Sequence, residues 1–215
     1  MATPIVWKNV AVAIQSGIAT AKAISGITKA NPGVVTSDAH GYSNGDYVYL
    51  SDILGMHQLK DKVVRVANQS TNTYELEGVD TTGFDTFTSG GAQKLTFGTS
   101  ITTALTVNGS GGEFDFVDTT TIHQNTKTQI PGLPSAISYQ FDHIWDAADA
   151  GLLAMKAASD IQAKRAFKFQ FGVGGKILTF AGFVGCSMLP GGQAQQLVTT
   201  SSVITMDGTP TYYAS

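Results

Sequence analysis

The chain has 215 residues, of which 13% are charged, with a net charge of -3, 24 glycines and one cysteine. That length allows one large domain, or one domain carrying a small insert, and the low charge with abundant Gly, Thr and Ser suits strands and turns better than long surface helices. Lys and Arg occur singly rather than as a basic stripe, which argues against tight nucleic-acid binding, and a lone Cys186 excludes an intrachain disulfide scaffold.

Low charge also leaves little like-charge repulsion between copies, a condition that permits extensive self-association. No apolar run approaches the ~20 residues of a membrane-spanning helix, and the N-terminus lacks a basic region followed by an apolar stretch. The expectation is a soluble product made in the cytoplasm, with no membrane partner.

In chain order, residues 1–23 read as an arm, Thr3-Pro-Ile-Val-Trp-Lys8, followed by a first strand over Val10-Ala-Val-Ala-Ile14. Trp7 has too little neighbouring sequence to bury itself locally, so it docks either on its own domain or on a neighbouring subunit.

Residues 24–91 change in texture. Turn residues at Asn31-Pro-Gly33, His40-Gly-Tyr-Ser-Asn-Gly-Asp46, Asn68-Gln-Ser-Thr-Asn72 and Ser89-Gly-Gly91 separate three strand-like runs, Tyr47-Val-Tyr-Leu50, Lys62-Val-Val-Arg-Val66 and Thr73-Tyr-Glu-Leu76. This is the pattern of a small β-barrel.

From Ala92 an apolar period of two predicts Ile101, Thr103, Leu105 and Val107 on one strand face, with Phe114 and Phe116 on the next strand. If Phe114 and Phe116 point to the core, Glu113 and Asp115 point away; if Tyr139 and Phe141 point in, Gln140 and Asp142 point away. Residues 118–135 read as a long polar loop before a strand over Ile137–Ile144, and a loop of that length is usually functional or disordered.

One helix follows. Asp146 is placed to cap it and Asp149 to add a second carboxylate near its positive end, while Ala148, Leu152 and Met155 share a face that packs on a sheet. Gly151 weakens this helix by roughly 1 kcal/mol relative to Ala, so tertiary packing must hold it. Phe167, Phe169 and Phe171 alternate with Lys168 and Gln170, which predicts a strand with one buried face. A hairpin turn at Gly172-Val-Gly-Gly175, a strand over Ile177–Val184 and a last strand over Gln196–Met206 complete the set. The tail 207–215, with Tyr212 and Tyr213, reads as a second arm.

Chemistry is sparse. His40, His57, His123 and His143 stand singly, with no i, i+4 metal pair, no nucleophile elbow and no phosphate-binding loop. Cys186 lies in a strand-like run with nothing nearby to stabilise a thiolate. No enzyme, cofactor or metal is expected. A carbohydrate- or protein-binding β module is the alternative reading, with Tyr42, Tyr47, Tyr49 and Tyr74 as its contact face.

The ordered set Ile130-Pro-Gly-Leu133, Trp145-Asp-Ala-Ala-Asp-Ala150, Lys168-Phe-Gln-Phe171, Phe180-Ala-Gly-Phe183 and Gly208-Thr-Pro210 resembles the tail tube protein family of long-tailed, non-contractile-tailed bacteriophages. The residues Ala39-His-Gly-Tyr42, Gly45-Asp-Tyr-Val48, Gly55-Met56, Asn72-Thr-Tyr-Glu-Leu76 and Gly78-Val-Asp80 are similar to the first catalytic-cysteine half-domain of ubiquitin-activating enzymes, though no cysteine is present here. Together these resemblances imply a mainly β fold: a tail-tube-type β-sandwich or barrel with one flanking α-helix, plus a small inserted β-barrel module. The division is residues 1–23 as arm and first strand, 24–91 as insert, and 92–215 as tail tube domain with a C-terminal arm.

The family implies a hexameric ring that stacks into a tube for DNA ejection. It places the chain in the virion tail after assembly in the host cytoplasm, beside tape measure, tail tip and terminator proteins, with DNA passing through without specific binding. Candidate lumen-facing residues are Glu113, Asp115, Gln140 and Asp142, which otherwise face bulk solvent. Candidate inter-subunit residues are Trp7, Ile130, Pro131, Leu133, Tyr212 and Tyr213.

Overall fold

A computed structural model describes residues 7–214; residues 1–6 of the expected N-terminal arm and Ser215 lie outside the described residues. The strands run β1 (Val10–Ile14), β2 (Gly17–Ile18), β3 (Lys22–Ile24), β4 (Gly26–Ile27), β5 (Val34–Thr36), β6 (Tyr47–Leu54), β7 (Val63–Ala67), β8 (Thr73–Leu76) and β9 (Ser89–Thr96). They continue with β10 (Thr99–Ile101), β11 (Ala104–Ser110), β12 (Phe114–Asp118), β13 (Gln129–Pro134) and β14 (Ser138–Ile144), then helix α1 (Ala150–Asp160), β15 (Lys164–Phe171), β16 (Ile177–Cys186) and β17 (Thr199–Tyr213). The fold is mainly β with one α-helix, as the sequence implied.

Two curled sheets carry the molecule. The first has the order β10-β1-β15-β16-β17-β14-β11, and the second, built from strands between Gly17 and Thr96, has the order β2-β9-β6-β7-β8-β5-β4 with β3 also on β9. Alternation in β15 puts Phe167 and Phe169 fully inside, where they stack on Phe180 with ring centroids 5.5 and 5.7 Å away; Phe141 joins them 6.0 Å from Phe169. Each ring contributes about 1.5–3 kcal/mol of burial, so this cluster holds the first sheet in its curl. A second core forms around Leu50, Ile53, Met56, Tyr74 and Leu76.

Helix α1 packs on the core face of the first sheet through Met155 and Ala158, with Leu152 also buried. Its N-cap is Asp149 rather than Asp146: the Asp149 carboxylate accepts from the Leu152 N–H at 2.8 Å, whereas Asp146 accepts from the Ala148 N–H one turn earlier. Gly151 has a packing reason. A Cβ there would stand 2.7 Å from the Ser100 carbonyl and 2.9 Å from the Ile101 Cα, so only glycine lets the helix lie this close to β10.

The back of the first sheet divides in two. Across β15 and the start of β16 it is covered by the second sheet, through Val63, Leu95, Ala166 and Ala181 with Tyr47, Tyr49 and Phe97 around them. Lys164 binds Asp61 at 3.2 Å and also pairs with Asp207, which joins the two sheets by charge as well. Across the far end of β16, β17, β14 and β11 the same face is left open among the described residues, with Asn108, Gln140, Ser201 and Val203 exposed.

Four sequence expectations change. Residues 118–135 are mostly not a loop: β12 and β13 pair into a hairpin that continues the β11–β14 pair outward, leaving only 119–128 at the tip. Phe114 and Phe116 consequently face solvent, 54% and 61% exposed among the described residues, because the hairpin extends past the sheet. Leu105 is not covered as Ile101 and Val107 are, since it falls in a bulge between Ala104 and Thr106 that breaks the alternation and leaves it 48% exposed. The C-terminal segment is no arm but the second half of β17, paired with β16 as far as Tyr213 opposite Ile177.

Candidate functional site

Strand register builds the open face row by row. Asn108 lies opposite Gln140, Gln140 opposite Val203, and Val203 opposite Gly185; the next row out places Thr106 beside Asp142 and Asp142 beside Ser201. A third row holds Ser110, Ser138, Thr205 and Phe183. The surface is therefore mainly hydroxyl and amide groups, with Val203 and Phe183 exposed among them and a single carboxylate, Asp142, which accepts from Thr106 Oγ1 at 2.7 Å. Ser110 and Ser138 share a second cross-strand hydrogen bond of 3.0 Å.

The opposite side chains of these strands enter the core. Tyr139 packs 5.4 Å from both Phe169 and Phe180, and Phe141 is fully buried, which meets the condition under which alternation turns Gln140 and Asp142 to the other side. Burial pushes the Tyr139 hydroxyl up from its ordinary range. His143 is fully enclosed, with Nε2 2.8 Å from Ser202 Oγ and Nδ1 3.3 Å from Thr103 Oγ1, and burial holds its imidazole below the usual value.

Gln140 and Asp142 thus come together on one face, with Thr106, Asn108, Ser201, Val203 and Thr205 beside them. Glu113 and Asp115 are exposed but belong to the hairpin, away from that face. Sequence reasoning passed over the β17 residues because buried polar Ser202 interrupts the polar/apolar alternation that would have separated Ser201 and Val203 from Ile204.

Among the described residues each lateral limit of the sheet is a strand paired on one side only. β10 and β11 are the two edges, and the cleft between them, about 690 Å³, is lined by Val10, Val12, Ile101, Leu105 and Val107. The hairpin itself displays Ile130 and Leu133, 54% and 85% exposed, with Pro131 also at the surface. Gly111 makes its base possible: at φ +92°, a Cβ would meet the Ala136 carbonyl at 2.1 Å.

Near the hairpin end of the sheet, Trp7 is 60% exposed and leans edge-on against Phe171 at 5.5 Å. Together with Ile177, Leu178 and Tyr212 it lines a cavity of about 280 Å³. The two terminal tyrosines separate in role. Tyr212 is 71% exposed, while Tyr213 is buried in its own chain: its hydroxyl accepts from the Arg65 N–H at 2.7 Å and its ring lies 4.7 Å from the Arg65 guanidinium, which is itself paired with Glu77. Tyr213 is therefore placed to join the two sheets, and only Tyr212 is offered outward.

Residues considered for chemistry or ligand contact are structural. Tyr42 and Tyr74 are buried and pack around His40, whose Nδ1 accepts from the Tyr42 N–H at 3.0 Å. Tyr47 and Tyr49 are half-buried where the sheets meet. These four tyrosines do not form an exposed contact face, because the second core uses two and the junction between sheets the others. Cys186 is buried, and burial pushes its thiol up. Among the described residues no three His, Cys, Asp or Glu side chains converge to hold a metal.

A β-rich structural protein with an open polar sheet face and an exposed hairpin is what the fold and these surfaces define. The phage tail tube protein (TTP) family matches residues 54–215, and the chain belongs to that family. It is a structural component of the phage tail and not an enzyme. No curated protein matches the chain.

Proposed function

We propose that copies of this chain join as hexameric rings, that the rings stack into the tail tube, and that the open face of β11, β14, β17 and β16 lines the conduit through which DNA leaves the virion. The observation that carries this reading is the open face itself: three registered rows, mostly Thr, Ser, Asn and Gln, with one carboxylate and with Val203 and Phe183 as apolar members, running out to the edge strand β11. Edge strands are a hazard in a solitary protein, and a closed ring removes them. A wall with few charges, and those negative, offers DNA phosphates neither an ion pair nor a binding pocket. In this reading the second sheet is a small β module inserted into a tube domain built on the first sheet, and because β2, β3 and β9 belong to it, its bounds lie nearer Gly17 and Thr96 than the 24–91 read from the sequence.

Ring-to-ring contact is assigned to the N-terminal arm, the hairpin and the C-terminal end, with Trp7, Ile130, Pro131, Leu133 and Tyr212 as contact residues. Electron microscopy of concentrated purified protein tests the reading directly, with long hollow tubes as the expected result. Deleting residues 1–8 or 120–133 should leave a folded subunit that forms no tubes; normal tubes from either deletion would refute that assignment.

A further inference from the structure

The hairpin lies at one end of the first sheet, and a different apolar segment lies at the other. β14 starts beside the hairpin, with Ser138 opposite Thr205, and ends with Ile144 opposite Thr199, about 20 Å away along the strand. Residues 187–198, which link the end of β16 to the start of β17, occupy that far end. They are held against Trp145, whose Nε1–H donates to the Met188 carbonyl at 2.9 Å and whose N–H donates to the Val198 carbonyl at 2.9 Å.

This anchored segment displays Leu189, Leu197 and Val198, 73%, 62% and 46% exposed. It contains no charged residue between Ser187 and Val198, and Gln193, Gln195 and Gln196 supply amide groups. A contact here desolvates no charge, and its amides can meet the free main-chain groups along a strand edge. The hairpin brings the matching chemistry: exposed Phe116, Ile130 and Leu133 on two short strands.

We infer that segment 187–198 is the socket for the β12–β13 hairpin of a second copy in the next ring. The inference rests on the tube reading and names the surface that receives the hairpin. Donor and socket are different patches at opposite ends, so the contact is heterologous: each added copy fills one socket and presents one new hairpin, which gives growth in one direction without closure. A self-complementary contact between two hairpins would instead stop at a pair.

Two variants test it. The first blocks the hairpin, Ile130→Asp with Leu133→Asp; the second blocks the socket, Leu189→Asp with Leu197→Asp. All four side chains are exposed, and the unfolding midpoint of each variant is measured; where aspartate lowers it, serine replaces aspartate at the same positions. Neither variant alone should form tubes. Mixed in equal amounts they should form short assemblies one contact deep, because the intact hairpin of the socket variant fits the intact socket of the hairpin variant, and no longer tubes.

Tubes from the socket variant at the wild-type yield, or a mixture showing nothing beyond its separate components, would overturn the assignment while leaving the tube reading intact. Failure of the wild-type chain to form tubes would overturn both.

Discussion

At the scale of single residues, two buried polar groups set measurable limits. Tyr213 accepts from the Arg65 N–H across a sequence distance of 148 residues. Tyr213→Phe keeps the ring and removes the acceptor of this hydrogen bond, at a cost of about 1 kcal/mol, read by chemical denaturation. His143 is enclosed by Thr103, Ser202 and Phe141, and its folded-state pKa is depressed by burial. The unfolded chain therefore takes up the proton first, at about pH 6.5, so the stabilisation is present above that value and is lost as pH falls below it. Unfolding free energy should decline between about pH 7 and pH 5.5, and His143→Gln should flatten that slope; equal slopes in both proteins would exclude His143 as the source.

At the scale of elements, α1 shows how a local rule and a tertiary demand oppose each other. Propensity alone ranks Gly151→Ala as a gain of roughly 1 kcal/mol. The Ser100 carbonyl and the Ile101 Cα occupy the space its methyl needs, and overpacking of this kind costs about 1–3 kcal/mol. The net expectation is a lower melting temperature for Gly151→Ala. Asp149→Ala should lose about 1 kcal/mol by removing the cap on the Leu152 N–H, together with the Thr102 hydroxyl bond at 3.0 Å. Asp146→Ala, which touches only the Ala148 N–H before the helix, should lose less in the same thermal scan.

At the scale of the whole molecule, two cores meet over a small junction. Val63, Leu95, Ala166 and Ala181 provide its apolar contact, with Lys164 bound to Asp61 and Asp207 on one side and Tyr213 against Arg65 on the other. Each core carries its own set of fully buried side chains, so the junction rather than either interior is expected to govern their cooperativity. Combining Lys164→Met with Tyr213→Phe should split a single calorimetric transition into two, while either substitution alone lowers the midpoint without splitting it. One undivided transition in the double variant would show that apolar contact alone couples the sheets.

The mainly β class, the single helix with its Leu152 and Met155 stripe, and the inward Tyr139, Phe141, Phe167 and Phe169 were all legible along the chain, because each depends on a period of two or near 3.6 that neighbouring residues carry themselves. The pairing of Gln140 with Asp142 on one face followed from the same rule. Alternation says which residues share a side of a strand, but not what lies on that side. Phe114 and Phe116 have a core-like pattern and face solvent because the β12–β13 hairpin outruns the sheet; Tyr213 has the pattern of a loose end and is buried because the second sheet passes over it. Leu105 lost its cover to a bulge, a shift of register that no local period announces. The sequence by itself determined the elements and their two-sidedness, while only the tertiary structure decided which sides were covered, since coverage is a contact between segments far apart in the chain.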